Sequence, residues 1–569
     1  MTQPDNWKRA LLSTLPAALA LLAIYSWYAG TYAAYAPFGD DPAIIGGSLG
    51  NPTSWFTSGF SQYFVVYPEW AGGTTDFFRP GVNLLVRLEY LLFGQRFWLY
   101  FVLLFLAQLS VCFLVVDILR RAGLPPARRA LFGLLTALSP ALLGAAVENV
   151  SYHFDIWCGL LSFLAFYLVL RDKYGAAFLC MCAAVLTKEA SLFVPVAACI
   201  TAYVRTRRAG LAGSLLLPLV GWFLIRKFVF VGSLENVYAV QVSAWGALKI
   251  FKGLAIWPTG VPDPPVLRQM VDDRSIGAHL GDAVMIGINL VLWIVLLLGA
   301  ARIIQRYFKS NAAPGVLQIT LLWLAGALAF GVLAGQESRF GGAIYPLEIV
   351  FVALLVSHPE MPGLPALGRT ACAILGIAFL WNAGRELRQH STQPAAMKSL
   401  MAVIKEQTAP VVYILSAPLD WTSTPNSVAT LINSPARIVV LSQFAGCLNG
   451  PGGTTRVGGS APQLSIEVQY PDCAQLRMGS VPARILGRGV GGELTRGEFA
   501  RYQFPQGQVL TNAKAVGAEP TVTLGTKLDL TLDPGPPGSY ALLYYDWNRG
   551  SYVSAGSASL GNQPAAGGL

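Results

Sequence analysis

The stretch YGAAFLCMCAAVLTKEASLFVPVAACITAYVRTRR, residues 174–208, decides the topology of this chain. It holds two apolar runs, 174–187 and 190–204, parted by Lys188-Glu189 and closed by Arg205, Arg207 and Arg208. Read as one helix, it crosses an apolar layer once. Read as a hairpin, it crosses twice and carries Lys188-Glu189 at its tip. A spanning helix needs about 20 mostly apolar residues. Both runs fall short of that, so length alone leaves both readings open.

The rest of the chain decides. Further apolar runs lie near 10–29, 97–119, 130–148, 154–170, 211–228, 281–301, 316–334, 343–357 and 370–384. Of the 569 residues, 54% are hydrophobic and 12% charged, against about 25% charged in an average soluble protein. A bilayer accounts for the deficit. The net charge of +10 is not gathered on one helix or tail, as nucleic-acid binding would need, but sits in short clusters between the runs. Cytoplasmic loops of membrane proteins carry the Lys and Arg excess. With the hairpin, about eleven spans result. Lys8-Arg9, Arg120-Arg121, Arg128-Arg129, Arg171 with Lys173, Arg205-Arg207-Arg208, Arg302-Arg306-Lys309 and Arg369 then share the cytoplasmic side. Merging 174–187 with 190–204 would move two of these clusters outside, so the hairpin reading stands.

The expected fold is therefore a polytopic α-helical membrane protein in a plasma (bacterial inner) membrane, with its N-terminus cytoplasmic. Lys8-Arg9 before the run 10–29 also fits a signal peptide, with Ala34-Tyr35-Ala36 as a cleavage pattern. The run's length favours a retained span. Long outer loops are expected at 30–96 and 229–280. The region 386–555 is Gly- and Pro-rich, with strand-like runs at Val411–Leu415, Arg437–Leu441, Leu464–Val468 and Tyr540–Tyr545. It reads as a β-rich or mixed soluble domain outside the cytoplasm, and 556–569 as a flexible tail. Six cysteines lie in apolar runs. Cys447 and Cys473 do not, and on an oxidising side they are candidates for a disulfide.

This topology collects ionisable residues at one outer boundary. Asp40-Asp41 follow the first span, and Arg79-Pro80 close the first outer loop. His153 and Asp155 open the fourth span, Lys188-Glu189 form the hairpin tip, and Arg339 lies in the turn from 335 to 342. Charges at a bilayer are costly and mark pairs or function. A secondary transporter holds them near the midplane on broken helices. These lie at helix ends, which suits chemistry on a lipid-anchored substrate at the membrane surface.

Asp40-Asp41, Phe78-Arg79-Pro80 followed by Asn83-Leu84-Leu85, Lys188-Glu189 on a hairpin tip, and Arg339 before Tyr345-Pro346 resemble the GT-C glycosyltransferases. The likeness is to the branch of protein O-mannosyltransferases and similar bacterial enzymes, and it covers about residues 1–385. The resemblance implies transfer of a sugar from a polyprenyl-phosphate carrier to a protein or glycan acceptor outside the cytoplasm, usually with inversion. It implies Asp40, with Asp41 beside it, as catalytic base. Lys188 and Arg339 would hold the donor phosphate, with Arg79, Glu189, His153 and Asp155 lining the site and Glu189 pairing Lys188 or a neighbour. The chemistry agrees. A hydroxyl acceptor loses a proton as it attacks, a carboxylate can take it, and a phosphate leaving group needs cations. The family commonly has Asp-Glu where this chain has Asp-Asp, which leaves open which carboxylate acts. No cofactor is expected. A divalent metal on Asp40 and Asp41 is the less favoured alternative, because members using monophosphate donors are generally metal-independent.

Plainer readings exist for each residue. Asp40-Asp41-Pro42 fits a cap or turn, Lys188-Glu189 a helix-end ion pair, and Arg339 a side chain reaching the interface. Among other functions, a lipid or glycan transporter would need a polar path, for which the apolar runs offer few candidates: Gln108, Asp117 and Asn289. A membrane scaffold displaying the C-terminal domain is the other alternative. The chain has no G-x-x-x-x-G-K-[ST] loop, no G-x-G-x-x-G after a strand, no C-x-x-C pair and no H-E-x-x-H.

Overall fold

The computed structural model describes residues 7–33, 35, 79–147, 150, 153–225, 259, 280–310, 315–334, 342–357, 363–386 and 393–409, together with strands between 411 and 560. Asp40, Asp41, Arg339, Cys447 and Cys473 lie outside the described residues. The chain divides into two compact units: Met1–Gly30, Phe78–Val82 and Trp98–Gln389, and Thr31–Phe77, Asn83–Phe97 and His390–Leu569. The main cut, expected after residue 385, falls after 389. Parts of the expected first outer loop group with the C-terminal region.

The helices are α1 (Trp7–Trp27), α2 (Ala29–Ala33), α3 (Pro80–Phe93), α4 (Trp98–Arg121), α5 (Pro126–Ala137), α6 (Pro140–Val147), α7 (His153–Leu170), α8 (Tyr174–Thr187), α9 (Phe193–Thr206), α10 (Ala209–Ser214), α11 (Leu217–Ile225), α12 (Leu280–Ser310), α13 (Val316–Ala334), α14 (Ile344–Val356) and α15 (Leu364–Glu386). Five described stretches are long and apolar enough to cross a membrane: Lys8–Trp27, Trp98–Arg121, His153–Leu170, Ala283–Tyr307 and Leu364–Gly384. Shorter apolar helices, including Tyr174–Thr187 and Ile344–Val356, accompany them.

At the centre of the first unit stands α14, with every residue from Ile344 to Leu355 buried. It packs against α4, α5, α7, α13 and α15. A helix apolar all round belongs inside. The outer helices turn large apolar side chains outward instead: Leu12 is 71% exposed on α1, Leu297 60% on α12 and Leu380 62% on α15. Soluble monomers rarely leave such surface in water, whereas lipid covers it without cost. Inside the bundle, Trp323 packs on Phe166 with ring centroids 5.2 Å apart, and its indole N–H donates to Thr201 Oγ1 at 3.0 Å.

Prolines divide what the apolar runs suggested were single spans. The run 130–148 is cut between α5 and α6 at Leu138-Ser139, because Pro140 offers no N–H and its ring clashes with the carbonyl of the preceding turn. Pro140 then opens α6, where a missing N–H costs nothing. The run 211–228 is cut before Leu217-Pro218 in the same way, and Leu215 and Leu216 close α10 with three-residue turns. Helix α3 was expected as loop. Pro80 starts it, and Gly94, at φ +57, ends it by donating to Tyr90 O at 2.7 Å, a left-handed cap.

The second unit holds α16 (Gln393–Glu406) and strands β1 (Val411–Ser416), β2 (Arg437–Val440), β3 (Ser442–Phe444), β4 (Thr454–Ser460), β5 (Gln463–Gln469), β6 (Leu476–Met478), β7 (Arg484–Ile485), β8 (Ala500–Phe504), β9 (Gly507–Thr511), β10 (Thr521–Val522), β11 (Lys527–Leu532), β12 (Gly538–Asp546) and β13 (Ser551–Leu560). One sheet has the order β13-β12-β1-β2, with β1 parallel to both β12 and β2. Another is antiparallel, β4-β5-β11-β9-β8-β7, and β10-β6-β3 form a third. The four strand-like runs of the sequence fall in β1, β2, β5 and β12. The expected tail differs, since 556–560 belong to β13, paired along β12. Small residues such as Gly556 and Ser557 suit a strand when a partner ladder supplies the hydrogen bonds.

Candidate functional site

Within the first unit, α7 and α8 run antiparallel and packed, so the start of one meets the end of the other. Asp155 stands in the first turn of α7, where a negative charge opposes the positive end of the helix dipole. Lys188 caps the last turn of α8 in extended conformation (φ −157, ψ 144), where a positive charge is favoured for the same reason. The two side chains meet in an ion pair, Lys188 Nζ to Asp155 Oδ1, with side chains 12% and 4% exposed. The Lys188 carbonyl accepts the Ser191 hydroxyl at 2.8 Å, and the Cys158 thiol lies 3.9 Å from it.

A single 3-10 turn, Glu189–Ser191, joins α8 to α9. Three residues per turn point neighbouring side chains about 120° apart, so Glu189 leaves Lys188 and reaches Arg79. Arg79 donates from Nε at 2.9 Å and from Nη2 at 2.7 Å to Glu189 Oε2. Of the partners open to Glu189, Lys188 or a neighbour, the structure gives it Arg79, 110 residues away in the chain. Arg79 and Glu189 are 5% and 7% exposed. Gly81 makes the approach possible, since a Cβ there would stand 2.7 Å from Thr187 Oγ1 and 2.9 Å from Leu186 O.

Three more features complete this end of the bundle. His153 is wholly buried, set edge-on to Phe101 at 5.1 Å. Among the described residues neither ring nitrogen has a hydrogen-bond partner. Gly342, the first described residue after the segment that holds Arg339, lies against α7: a Cβ on it would stand 2.8 Å from Asp155 O, and one on Gly159 only 2.5 Å from Gly342 C. Tyr345 is buried and edge-on to Phe379 at 5.8 Å.

The structure therefore brings Arg79, Asp155, Lys188 and Glu189 together as two buried ion pairs, with His153 opening the same helix as Asp155. Among the described residues no group of three or more His, Cys, Asp or Glu is arranged to hold a metal ion. The opposite end is basic. Asp117 accepts from Arg120 Nε at 2.8 Å, Arg121 Nε at 2.6 Å and the Tyr167 hydroxyl at 2.8 Å. Arg205 donates to the terminal carbonyls Val169 O and Leu170 O of α7.

Sequence reasoning missed two buried acids, Glu89 on α3 and Glu348 on α14. Glu348, on α14, is 0% exposed, and among the described residues neither carboxyl oxygen has a hydrogen-bond partner. The signal was present, because an ionisable residue inside an apolar run marks itself. No protein-family model matches this chain, and no curated protein matches it in sequence.

Proposed function

We propose that this chain is a membrane glycosyltransferase of about eleven spans that moves a sugar from a polyprenyl-phosphate donor to an acceptor on the non-cytoplasmic side. The observation that carries the reading is the convergence of Arg79, Asp155, Lys188 and Glu189, from separate stretches, in two buried pairs at the end of the bundle away from the Asp117–Arg120–Arg121 cluster. Asp40 or Asp41 takes the acceptor proton as the hydroxyl attacks the anomeric carbon, and the carrier phosphate departs. Arg339 and Lys188 are the phosphate contacts. Glu189 and Asp155 are positioning residues that hold Arg79 and Lys188 against the helix ends. A phosphate arriving at Lys188 competes with Asp155 for the ammonium. The N-terminus lies in the cytoplasm and the C-terminal region outside it, in keeping with the Lys and Arg placement.

General-base removal typically costs 10²–10⁴ in rate. Either Asp40→Asn or Asp41→Asn is therefore expected to lower sugar transfer in membrane vesicles by at least about a hundredfold, with the protein still present at normal level. Full activity in both variants ends this assignment.

Transport is the second reading, and Glu348 is the observation that favours it. Gln108 and Asn289 are engaged: Gln108 accepts from the Tyr25 hydroxyl at 3.0 Å and donates to Leu142 O at 2.7 Å, and Asn289 is bonded to Thr259. A proton path that uses α14 would run through Glu348. Under the transferase reading, Glu348→Gln retains sugar transfer, and Glu348→Leu raises thermal stability by about 1–3 kcal/mol through removal of a buried polar group with no partner among the described residues. Loss of a pH-driven flux in vesicles with Glu348→Gln would establish the transport reading instead.

A further inference from the structure

Toward the basic end of the first unit, α1, α4 and α5 close on one another at Gly133. A Cβ there would stand 2.9 Å from Val116 Cγ2 on α4, and 3.9 Å from both Ser13 O and Ala17 Cβ on α1. Residues four places apart on a helix stack one turn above each other. One turn beyond this contact lie Arg129 on α5, Arg9 on α1 and Arg120 on α4. Three helices thus bring three guanidinium groups together. Arg120 and Arg9 both repel the charge on Arg129, and Asp117 attracts it.

Asp117 has little left to offer. Its Oδ1 accepts from Arg120 Nε, and its Oδ2 from Arg121 Nε and the Tyr167 hydroxyl. Arg129 is 5% exposed, and its Nε has no hydrogen-bond partner among the described residues. An arginine at a membrane boundary ordinarily carries its charge out to water; this one is buried. A buried charge without a partner is costly, and arginine does not escape the cost by losing its proton. Helix α5 adds to the demand for an anion. It opens on Pro126 with no acidic residue in its first turn and no side-chain cap, so its N-terminal N–H groups and the positive end of its dipole face outward. Helical side chains tilt toward the N-terminus, which leans Arg129 back over that opening.

We propose that this end of α1, α4 and α5 is a binding site for one phosphate group, held by Arg9, Arg120 and Arg129 beside the start of α5. A phosphate has oxygens enough for cations arriving from three helices, whereas a carboxylate has two. Basic pockets between membrane helices on the Lys- and Arg-rich side take phosphate headgroups. The exposed side chain of Arg9 leaves the site open to the surface. It lies at the end opposite the Arg79–Glu189 and Lys188–Asp155 pairs and does not rest on the sugar-transfer reading.

The test follows the melting midpoint of the full-length protein in a neutral detergent. Inorganic phosphate or short-chain phosphatidylglycerol is added at an ionic strength held constant with chloride, and short-chain phosphatidylcholine is the blank. The expected result is a saturable rise above chloride and above the blank. A rise with phosphatidylglycerol alone makes the site one for a lipid headgroup; a rise with inorganic phosphate as well makes it one for a soluble phosphate. Arg129→Met should weaken the response about tenfold. It should also melt above the parent without the anion and lose that advantage with it, a reversal that a purely structural arginine would not give. Arg9→Gln, at an exposed position, should weaken the response roughly fivefold, and this arm stands even if Arg129→Met does not fold. Arg208→Gln, an exposed arginine after α9, should respond as the parent does. No rise with either anion, an equal rise with phosphatidylcholine, or an unchanged response in Arg9→Gln would each overturn the proposal.

Discussion

Glu189→Ala lowers the stability of the full-length protein by about 3–5 kcal/mol, the cost of breaking a buried ion pair from one side. Arg79 is 5% exposed and gives two N–H groups to Glu189 Oε2, so truncation takes a carboxylate away from a buried guanidinium. The pair itself contributes far less than that figure, because both ions were desolvated to make it. Arg79→Met combined with Glu189→Leu should therefore lie within about 1 kcal/mol of the parent protein or above it. Thermal midpoints of the four proteins in detergent, read as a double-mutant cycle, check this. Additive effects would mean that the two side chains do not act as a pair. The double variant also separates two roles. If the pair is only a staple between residue 79 and the turn after α8, restored stability brings back the proposed sugar transfer. If it positions the site, the protein is stable and inactive.

Gly159→Ala is the second large effect. The new Cβ would stand 2.5 Å from the carbonyl carbon of Gly342 and 2.7 Å from its Cα and O. Those are backbone atoms that cannot rotate away, so α7 and the start of α14 must part. Overpacking costs about 1–3 kcal/mol, and the rigid partner puts this case at the upper end. Because Gly342 also lies against Asp155 O, the displacement reaches the Lys188–Asp155 pair, and transfer should fall with stability. Gly287→Ala is the control. It is helical, has nothing within 4 Å of the added methyl, and should be neutral or stabilising by up to about 1 kcal/mol. A Gly159→Ala protein as stable as the Gly287→Ala control would show that the helices do not approach as closely as described.

Much of the candidate site was legible as composition and little of it as contact. Lys188-Glu189 stands out because charge inside an apolar run is rare, and the Arg clusters place it at a hairpin tip. That Glu189 would turn to Arg79 and Lys188 to Asp155 was not legible. Adjacent residues look like partners on paper, and only the 3-10 turn shows that they diverge. Glu348 was visible as a charge in a run but not as a side chain without a partner among the described residues, since that depends on five neighbouring helices. Helix α3 was hidden because its apolar stretch is too short to span and carries both Arg87 and Glu89.

What the sequence by itself determined is where helices must form. A backbone in lipid has to satisfy its own hydrogen bonds, so runs such as 97–119 and 154–170 are helical whatever they touch, while the breaks at Pro140 and before Pro218 were read past. In the second unit, runs rich in β-branched and aromatic residues did the same for β1, β2, β5 and β12. Only the tertiary structure decided which charges meet. In a bilayer the lipid is as apolar as the helix faces, so the apolar pattern carries little information about which face turns inward. Glycines 81, 159 and 342, which let backbones come within reach, settle which helix ends share the site.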